Sequence, residues 1–204
     1  MIRAIKGVKD ILPAEIGIWQ YLEATSQKIL QNYGFSEIRI PIFEDTALFV
    51  RSIGEETDIV SKEMYTFPDR KGHSMTLRPE GTASVVRALV EHKMYAQGPY
   101  QKLYYLGPMF RYERPQAGRS RQFHQIGAEV FGLAEPSVDA EMLALLHDLF
   151  SKLRLSDVSL SLNSVGCPEN CRPHYKKVLQ EFLRKDVGEL CPDCQPYCLP
   201  LERG

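Results

Sequence analysis

Residues 103–131 read LYYLGPMFRYERPQAGRSRQFHQIGAEVF, and this stretch decides the fold. Two segments rich in aromatic and aliphatic residues, 103–114 and 122–131, flank a polar, glycine-containing loop at 115–121. This pattern predicts two long strands joined as an antiparallel hairpin. We therefore take the hairpin as the centre of the fold and arrange the other elements around it.

The register of the hairpin follows if the loop 115–121 closes symmetrically, which pairs Arg114 with Gln122. Because side chains alternate between the two faces of a strand, the odd-numbered residues of both segments then share one face. The predicted cross-strand neighbours on that face are Glu113 with Phe123, Arg111 with Gln125, and Gly107 with Glu129.

The two faces of the predicted hairpin differ in character. Leu106, Phe110, Ile126, Ala128 and Val130 make one face an ordinary core surface. The other face carries Arg111, Glu113, Phe123, Gln125 and Glu129, with glycines between them. A face this polar is either a solvated surface with cross-strand ion pairs or a binding surface. The glycines favour a binding surface, because backbone that approaches a ligand closely often needs glycine.

The rest of the chain predicts helices and shorter strands around the hairpin. Helical spacing of apolar residues, strict alternation, and punctuation by proline or glycine give the assignments. The predicted helices are 14–33, 82–92, 137–153 with Ser137 as its cap, and 172–185. The predicted strands are 38–42, 63–67, 73–78 and 158–162, with a turn at 69–72. Strands that cluster without βαβ alternation indicate an α+β domain, an antiparallel sheet flanked by helices.

Composition excludes several classes of protein. The 204 residues carry 25 Lys+Arg and 26 Asp+Glu, a net charge of −1, which gives no support for a polybasic nucleic-acid or membrane binder. The N-terminus has no apolar signal-peptide core, and no run approaches the ~20 apolar residues of a membrane helix. A cytoplasmic protein without a membrane partner is the expectation. No GxGxxG or GxxxxGK[ST] phosphate loop is present.

The polar face suits a ligand that joins phosphate to a ring and an amine. An arginine fork binds phosphate in two places, an adjacent aromatic ring stacks on a nucleobase, and a carboxylate accepts hydrogen bonds from amines. Arg119 and Arg121 of the loop could reach outer phosphates, and Gln125 with Glu129 could hold an ammonium group. Near a predicted helix start, Thr82 has the plainer role of N-cap, and Glu80 could complement the helix dipole.

Five segments of the sequence carry a family resemblance. They are KGVKDILP at 6–13, YGF at 33–35 leading to PIFE at 41–44, RPEGTA at 78–83, GPMFRYERPQ at 107–116, and GRSRQFHQ at 118–125. These segments resemble histidyl-tRNA synthetase, a class II aminoacyl-tRNA synthetase family. The resemblance runs from about residue 5 to residue 194, and its motif 2 stretch, 110–129, is long and specific. Pro41, which cannot donate to a strand ladder and so indicates a sheet edge or an interface, resembles the proline of motif 1 at the family's dimer interface.

The resemblance implies a role for each matching residue. It implies that Arg111 holds the α-phosphate of ATP and is the catalytic residue, and that Arg119 reaches the terminal phosphates. Glu113 matches the residue near the adenine amino group, and Phe123 matches the ring that stacks on adenine. The histidine-binding set is Glu80, Thr82, Gln125 and Glu129.

The resemblance also implies a reaction and its partners. Histidine and ATP, with Mg²⁺, form histidyl-adenylate, and the histidyl group then passes to histidine tRNA in a homodimer built through motif 1. Motif 3, a second histidine-recognition segment and the anticodon-binding domain have no counterpart. Residues 1–165 therefore resemble part of a class II core and 166–204 the start of an insertion, and we expect this chain alone to charge tRNA poorly or not at all.

Two other identities stay open from the sequence. The synthetase-like regulatory subunit of ATP phosphoribosyltransferase resembles this fold without charging tRNA, but the intact Arg111, Glu113, Arg119 and Gln125 argue against it. Another class II synthetase is a weaker alternative, since the RQFHQ run at 121–125 and the Glu80 segment favour histidine.

The five cysteines all follow residue 166. Cys167, Cys171, Cys191 and Cys194 are separated by three, nineteen and two residues, a spacing compatible with a four-thiolate Zn²⁺ site. The alternative is a set of reduced thiols at the surface. Cys198 lies in an end, 197–204, that resembles nothing in the family.

Overall fold

The computed structural model describes residues 2–54, 57, 59–113, 118–163, 166–167, 169–191 and 195. The chain forms two compact units, Met1–Asp157 and Val158–Gly204. The helices of the first unit are α1 Pro13–Asn32, α2 Thr46–Ile53, α3 Thr82–Glu91 and α4 Pro136–Lys152, with short turns of other helix at Ile59–Glu63 and Met94–Ala96. Its strands are β1 Ser36–Glu37, β2 Phe43–Asp45, β3 Thr66–Pro68, β4 Ser74–Leu77, β5 Gln101–Phe110 and β6 Gln122–Phe131. The second unit contains α5 Cys171–Leu183, followed by a 3₁₀ segment, Arg184–Glu189.

The predicted hairpin is present as β5 and β6, which pair antiparallel beside β1 in the order β1-β5-β6. Its predicted register is wrong by four residues, since Gln125 lies opposite Gly107 and Phe123 opposite Met109. The reason is that β5 ends at Phe110, and Tyr112 turns away to donate its N–H to the carbonyl of Glu63 at 2.7 Å. An even shift keeps the same residues on each face, so the predicted division into faces is confirmed.

Each face of this sheet packs against helices. Tyr104, Leu106, Ile126 and Val130 lie on the apolar face, packed with Leu30 of α1 and Leu145 of α4. The polar face is not solvated over its whole length, because Leu103, Tyr105 and Met109 form a second core there with Val85 of α3. The polar part is therefore confined to positions beside and beyond this second core.

The strands that fall between β1 and β5 in sequence form a second sheet, in the order β2-β4-β3. The predicted hairpin of β3 and β4 is confirmed, and its turn is held by Asp69, whose carboxylate accepts the N–H groups of Lys71 and His73. That local network lowers the pKa of Asp69.

The predicted strand 38–42 is wrong, because strands β1 and β2 lie on either side of it. Pro41 has no N–H to donate, and the carbonyls of Ile40 and Pro41 are taken by the guanidinium of Arg78 instead of a strand. β1 and β2 are both terminal strands of their sheets, so Pro41 connects two sheet edges.

Two other predicted elements differ. Helix α4 begins at Pro136 after Glu135, so Ser137 lies inside its first turn and is not its cap. The predicted strand 158–162 is absent: these residues are in no strand, and Leu162 remains 75% exposed. An alternation of apolar and polar residues does not by itself make a strand when no neighbouring strand pairs with the segment. Among the described residues, no helix is both long and apolar enough to cross a membrane.

Candidate active site

Four of the predicted site residues lie together at the end of the β5–β6 hairpin where its loop joins the two strands. We name these residues, Arg111, Glu113, Arg119 and Phe123, the arginine cluster. The guanidinium of Arg111 lies 5.2 Å from the centre of the Phe123 ring. Glu113 lies between the two arginines, 4.0 Å from Nη1 of Arg111 and 3.5 Å from Nη1 of Arg119. The cluster forms despite the register error, since a shift by an even number of residues leaves Phe123 on the predicted face.

Arg111 is held by backbone on two sides. Its N–H donates to the carbonyl of Arg121 at 2.9 Å, and its Nε donates to the carbonyl of Pro79 at 2.9 Å. Arg119, by contrast, has a side chain 63% exposed. One arginine of the cluster is therefore fixed in place, whereas the other extends into solvent.

The side chain of Arg121 has a different partner from those of the other two arginines. Its guanidinium covers the ring of Tyr112 at 4.3 Å, and its backbone N–H donates to the carbonyl of Gly7. Its Nε is buried, with no acceptor among the residues that the structure describes. The structure thus places Arg121 against an aromatic ring, while its role toward phosphate stays a prediction.

The other four predicted residues, Glu80, Thr82, Gln125 and Glu129, lie on the same face and are named the carboxylate cluster. The Thr82 hydroxyl donates to Glu129 at 2.6 Å. The Glu80 carboxylate accepts the N–H groups of Thr82 at 2.6 Å and Ala83 at 2.9 Å. The prediction of Thr82 as N-cap is wrong: Gly81 is the N-cap residue of α3 and Thr82 is the first helical residue. The Glu80 carboxylate takes the first N–H groups of the helix, and the Thr82 hydroxyl is left to bind Glu129.

Tyr105 is a residue of this site that the sequence reasoning missed. It is 2% exposed and fills the space left by two glycines, since a Cβ on Gly81 or Gly127 would come within 2.2 Å or 2.1 Å of its ring. Both glycines make room for an aromatic side chain, and for Gly127 this corrects the expectation that the glycines of the polar strand face make room for a ligand. The correct register would have exposed the pairing, because Tyr105 lies directly opposite Gly127.

The electrostatics of the carboxylate cluster favour a ligand that donates hydrogen bonds. Burial raises the pKa of Glu129, the nearby charge of Glu80 adds to the rise, and the Thr82 hydrogen bond opposes it. Burial likewise raises the pKa of Tyr105 to about 12. The Oε1 atom of Gln125 is buried, and no donor for it exists within the described part of the chain. Acceptors therefore exceed donors here.

Arg78 is a second residue that was not singled out. It is 4% exposed; its Nε donates to the carbonyl of Pro108 at 2.8 Å and its Nη1 to that of Ile40 at 2.7 Å. A Cβ on Gly107 would approach Nη2 of Arg78 to 2.5 Å. No side-chain pattern marks such an arginine, because its acceptors are backbone carbonyls.

The cysteines form only part of the predicted Zn²⁺ set. The Sγ atoms of Cys167 and Cys171 lie 3.3 Å apart, and Cys191 is exposed, whereas Cys194 is outside the described residues. Among the residues described, no three His, Cys, Asp or Glu side chains group as metal ligands. Hydrogen bonds from Cys171 lower the pKa of the Cys167 thiol to about 7. Zinc binding stays a prediction.

Fold and site together define the class as the catalytic core of a class II aminoacyl-tRNA synthetase, of which this chain holds part. Apo S. aureus histidyl-tRNA synthetase superposes with a TM-score of 0.71 at 41% identity, covering 98% of this chain and 47% of that one. The histidyl-tRNA synthetase family model matches residues 7–190. The chain belongs to the histidyl-tRNA synthetase family.

Curated relatives agree with this family. The histidine–tRNA ligases of Geobacter sulfurreducens and Geobacter metallireducens are 59% and 58% identical over 195 residues, which is 96% of this chain and 47% of theirs. The chain thus spans about half the length of the curated relatives it matches. A Bacillus halodurans protein described as an ATP phosphoribosyltransferase regulatory subunit/histidyl-tRNA synthetase has a TM-score of 0.74 but 20% identity, and shares the fold.

Proposed function

We propose that this chain carries an ATP- and histidine-binding surface of a histidine–tRNA ligase, which joins histidine to ATP as histidyl-adenylate and then transfers histidine to tRNA. The observation that supports it is the arrangement of two clusters of opposite character on one sheet face. One cluster presents guanidinium groups beside an aromatic ring, and the other presents an excess of hydrogen-bond acceptors.

In this proposal the arginine cluster binds ATP. Arg111, oriented through Pro79, binds the α-phosphate and stabilises the charge that develops there, and Arg119 reaches the terminal phosphates. Phe123 stacks on adenine, and Glu113 accepts from the adenine amino group. Without ATP, Glu113 offsets one of the two positive charges of Arg111 and Arg119, so nucleotide binding must exchange one set of charge contacts for another.

The carboxylate cluster binds histidine. The α-ammonium and the imidazole N–H of histidine are the donors that this cluster lacks, and Glu80, Thr82, Gln125 and Glu129 supply acceptors. The Thr82–Glu129 contact and the capping role of Glu80 fix these groups to the start of α3, so the acceptors are positioned before the ligand arrives.

The first chemical step then needs no protein nucleophile. A carboxylate oxygen of histidine attacks the α-phosphorus, the P–O bond to the β-phosphate breaks, and pyrophosphate leaves. Such a reaction depends on positioning and charge stabilisation, which Arg111 and the two clusters provide. Mg²⁺ takes most of its ligands from phosphate and water, and Glu113, the one carboxylate of the arginine cluster, faces two guanidinium groups, so the phosphates themselves would hold the ion. It would neutralise phosphate charge when bound.

The remaining assignments are part of the same proposal. Residues 1–165 act as part of the catalytic core, residues 166–204 as the start of an insertion, and the region of Pro41 as a homodimer contact. We place the protein in the cytoplasm. Because the chain spans about half the length of its relatives, we expect little tRNA charging from it alone, and ligand binding is the appropriate measurement.

Calorimetric titration of the chain with a non-hydrolysable histidyl sulfamoyl adenylate tests the proposal. Arg111→Ala should weaken binding at least about tenfold, since it removes a charge-assisted contact to the sulfamate oxygens that stand in for the α-phosphate. Arg70→Ala is the matched control, because Arg70 is exposed in the β3–β4 turn. Equal affinities of the two variants would show that Arg111 has no such role, and no saturable binding by the wild type at millimolar ligand would refute the proposal.

A second titration separates the synthetase from the regulatory-subunit alternative. ATP alone should bind to the wild type and lose affinity in Arg111→Ala. A chain that binds histidine but shows no detectable affinity for ATP would favour the regulatory alternative.

A further inference from the structure

Two thiols of the second unit lie in contact at the start of α5. The Sγ atoms of Cys167 and Cys171 are 3.3 Å apart, and both side chains are exposed. The backbone N–H of Cys171 also donates to Sγ of Cys167 at 3.2 Å. This pair is remote in sequence from the clusters of the sheet, and neither cluster uses it.

The contact depends on a specific turn. Gly166 has a φ of +72°, and a Cβ there would lie 2.5 Å from Cβ of Cys171. The N–H of Arg172 closes the turn by donating to the carbonyl of Cys167 at 3.0 Å. Glycine is thus required on two grounds, left-handed backbone and lack of space, and both act to bring Cys171 over the turn that carries Cys167.

We propose that Cys167 and Cys171 form a redox-active dithiol, which a low-molecular-weight disulfide such as oxidised glutathione converts reversibly to an intramolecular disulfide. A bond requires the Sγ atoms to close from 3.3 Å to about 2.05 Å, a small movement for two exposed side chains. Disulfides in the reducing cytoplasm, where we have proposed that the protein lies, are typically redox-sensing or catalytic. On that basis the pair is a modification site of the second unit rather than a structural crosslink.

The exchange balances as two thiol–disulfide steps. The sulfur of one cysteine attacks the oxidant, forms a mixed disulfide, and releases one glutathione thiol. The sulfur of the other cysteine then attacks the protein sulfur of that mixed disulfide and releases the second glutathione. Both protein thiol protons pass to solvent or to the departing thiolates, the oxidant gains two electrons, and the protein loses two.

Counting thiols in the reduced chain tests this directly. After equilibration with excess oxidised glutathione and trapping with a maleimide, the wild type should lose two of its five thiols. Peptide mass mapping should find the link between Cys167 and Cys171, and a dithiol reductant should restore both thiols. Cys191→Ser is the matched control and should leave this link unchanged.

Two further variants test the geometry. In Cys171→Ser the second step is impossible, so a stable glutathione adduct should remain on Cys167. In Gly166→Ala the pair should close at least about fivefold more slowly, because the thiols lose their preset proximity. Circular dichroism of both variants establishes that α5 is intact.

Three results would overturn the proposal. The first is an oxidised link that joins another pair, and the second is a full thiol count after oxidation of a metal-free chain. The third is a stoichiometric zinc ion, released only by a chelator, that protects four cysteines from the oxidant, because the thiols are then metal ligands.

Discussion

The arginine cluster and the carboxylate cluster occupy one face of the β5–β6 sheet, yet they are held in opposite ways. The arginine cluster consists of long side chains at an open hairpin end, with Glu113 between Arg111 and Arg119. The carboxylate cluster is fixed by short hydrogen bonds to the start of α3 and rests on the buried Tyr105. The first cluster offsets only one of its two positive charges, whereas the second leaves an acceptor without a donor among the described residues.

The difference teaches where rigidity lies in this site. Changes beneath the carboxylate cluster should act on folding, because its support is buried and closely packed. Changes in the arginine cluster should act on anion binding and leave folding nearly intact, because its ion pairs are partly exposed and such pairs contribute little to stability.

The largest effect is expected from Gly127→Ala, beneath the carboxylate cluster. The new Cβ would lie 2.1 Å from the Tyr105 ring, which is buried and cannot move freely. We expect a loss of about 2–4 kcal/mol in the free energy of unfolding, measured by urea denaturation. Gly17→Ala in α1 is the control: nothing lies within 4 Å of its Cβ, and alanine favours a helix, so stability should rise slightly. Wild-type stability in Gly127→Ala would show that Tyr105 does not occupy this space.

The next largest effect is expected from Arg78→Ala, which removes a buried arginine bonded to backbone carbonyls of β5 and of the segment between β1 and β2. It leaves the carbonyls of Ile40 and Pro108 without their donor, and we expect a loss of about 2–3 kcal/mol in the free energy of unfolding. Arg78→Lys should recover only part, because an ammonium group cannot reproduce the planar fork. Arg70→Ala, in an exposed turn, should unfold at the same urea concentration as the wild type, and an equal midpoint for Arg78→Ala would contradict the buried role.

How much of this site the sequence could predict depends on the range of the interaction concerned. Alternation along β5 and β6 is local, so the face was predicted correctly for the site residues within these strands, Phe123, Gln125 and Glu129. The end of β5 is decided by Glu63, which accepts the N–H of Tyr112 from a distant part of the chain, and the predicted register was therefore wrong. Local cues suggested Thr82 as the N-cap residue, whereas in the structure the Glu80 carboxylate accepts the N–H of Thr82.

Tyr105 and Arg78 were not identified from the sequence for a related reason. A tyrosine among apolar residues looks like ordinary core, and only the true register reveals that Gly127 lies opposite to it. A buried arginine whose acceptors are carbonyls has no complementary acid in the sequence to indicate it. Backbone partners, unlike side-chain partners, leave no trace in residue identity.

Glu113→Gln tests how far the Glu113 carboxylate offsets the positive charge of Arg111 and Arg119. Removing the carboxylate charge frees Arg111 and Arg119, so inorganic triphosphate should bind about threefold more tightly by calorimetry, in line with an exposed ion pair. The gain should shrink at high salt, since screening weakens exposed charges. Glu23→Gln, exposed on α1, makes the same chemical change away from the site. Equal gains in both variants would mean that net charge alone is responsible.

The smallest effect is expected from Glu129→Gln, and its sign follows from the raised pKa of Glu129. A carboxyl whose pKa is higher in the folded state stabilises the fold only while protonated, and ionisation as pH rises through the folded pKa reduces stability. Glutamine keeps an oxygen for the Thr82 hydroxyl and has no charge to desolvate or to repel Glu80. The melting temperature at neutral pH should therefore rise by about 1–3 °C.

The pH dependence separates this explanation from simple packing. At about pH 4, below the ordinary glutamate pKa, both Glu129 and its glutamine replacement are largely neutral, so the difference in melting temperature should vanish. Glu23→Gln should show no difference at either pH. A lower melting temperature for Glu129→Gln at neutral pH would mean that the charged carboxylate stabilises the folded state. That result would contradict our description of the carboxylate cluster as a site with an excess of acceptors.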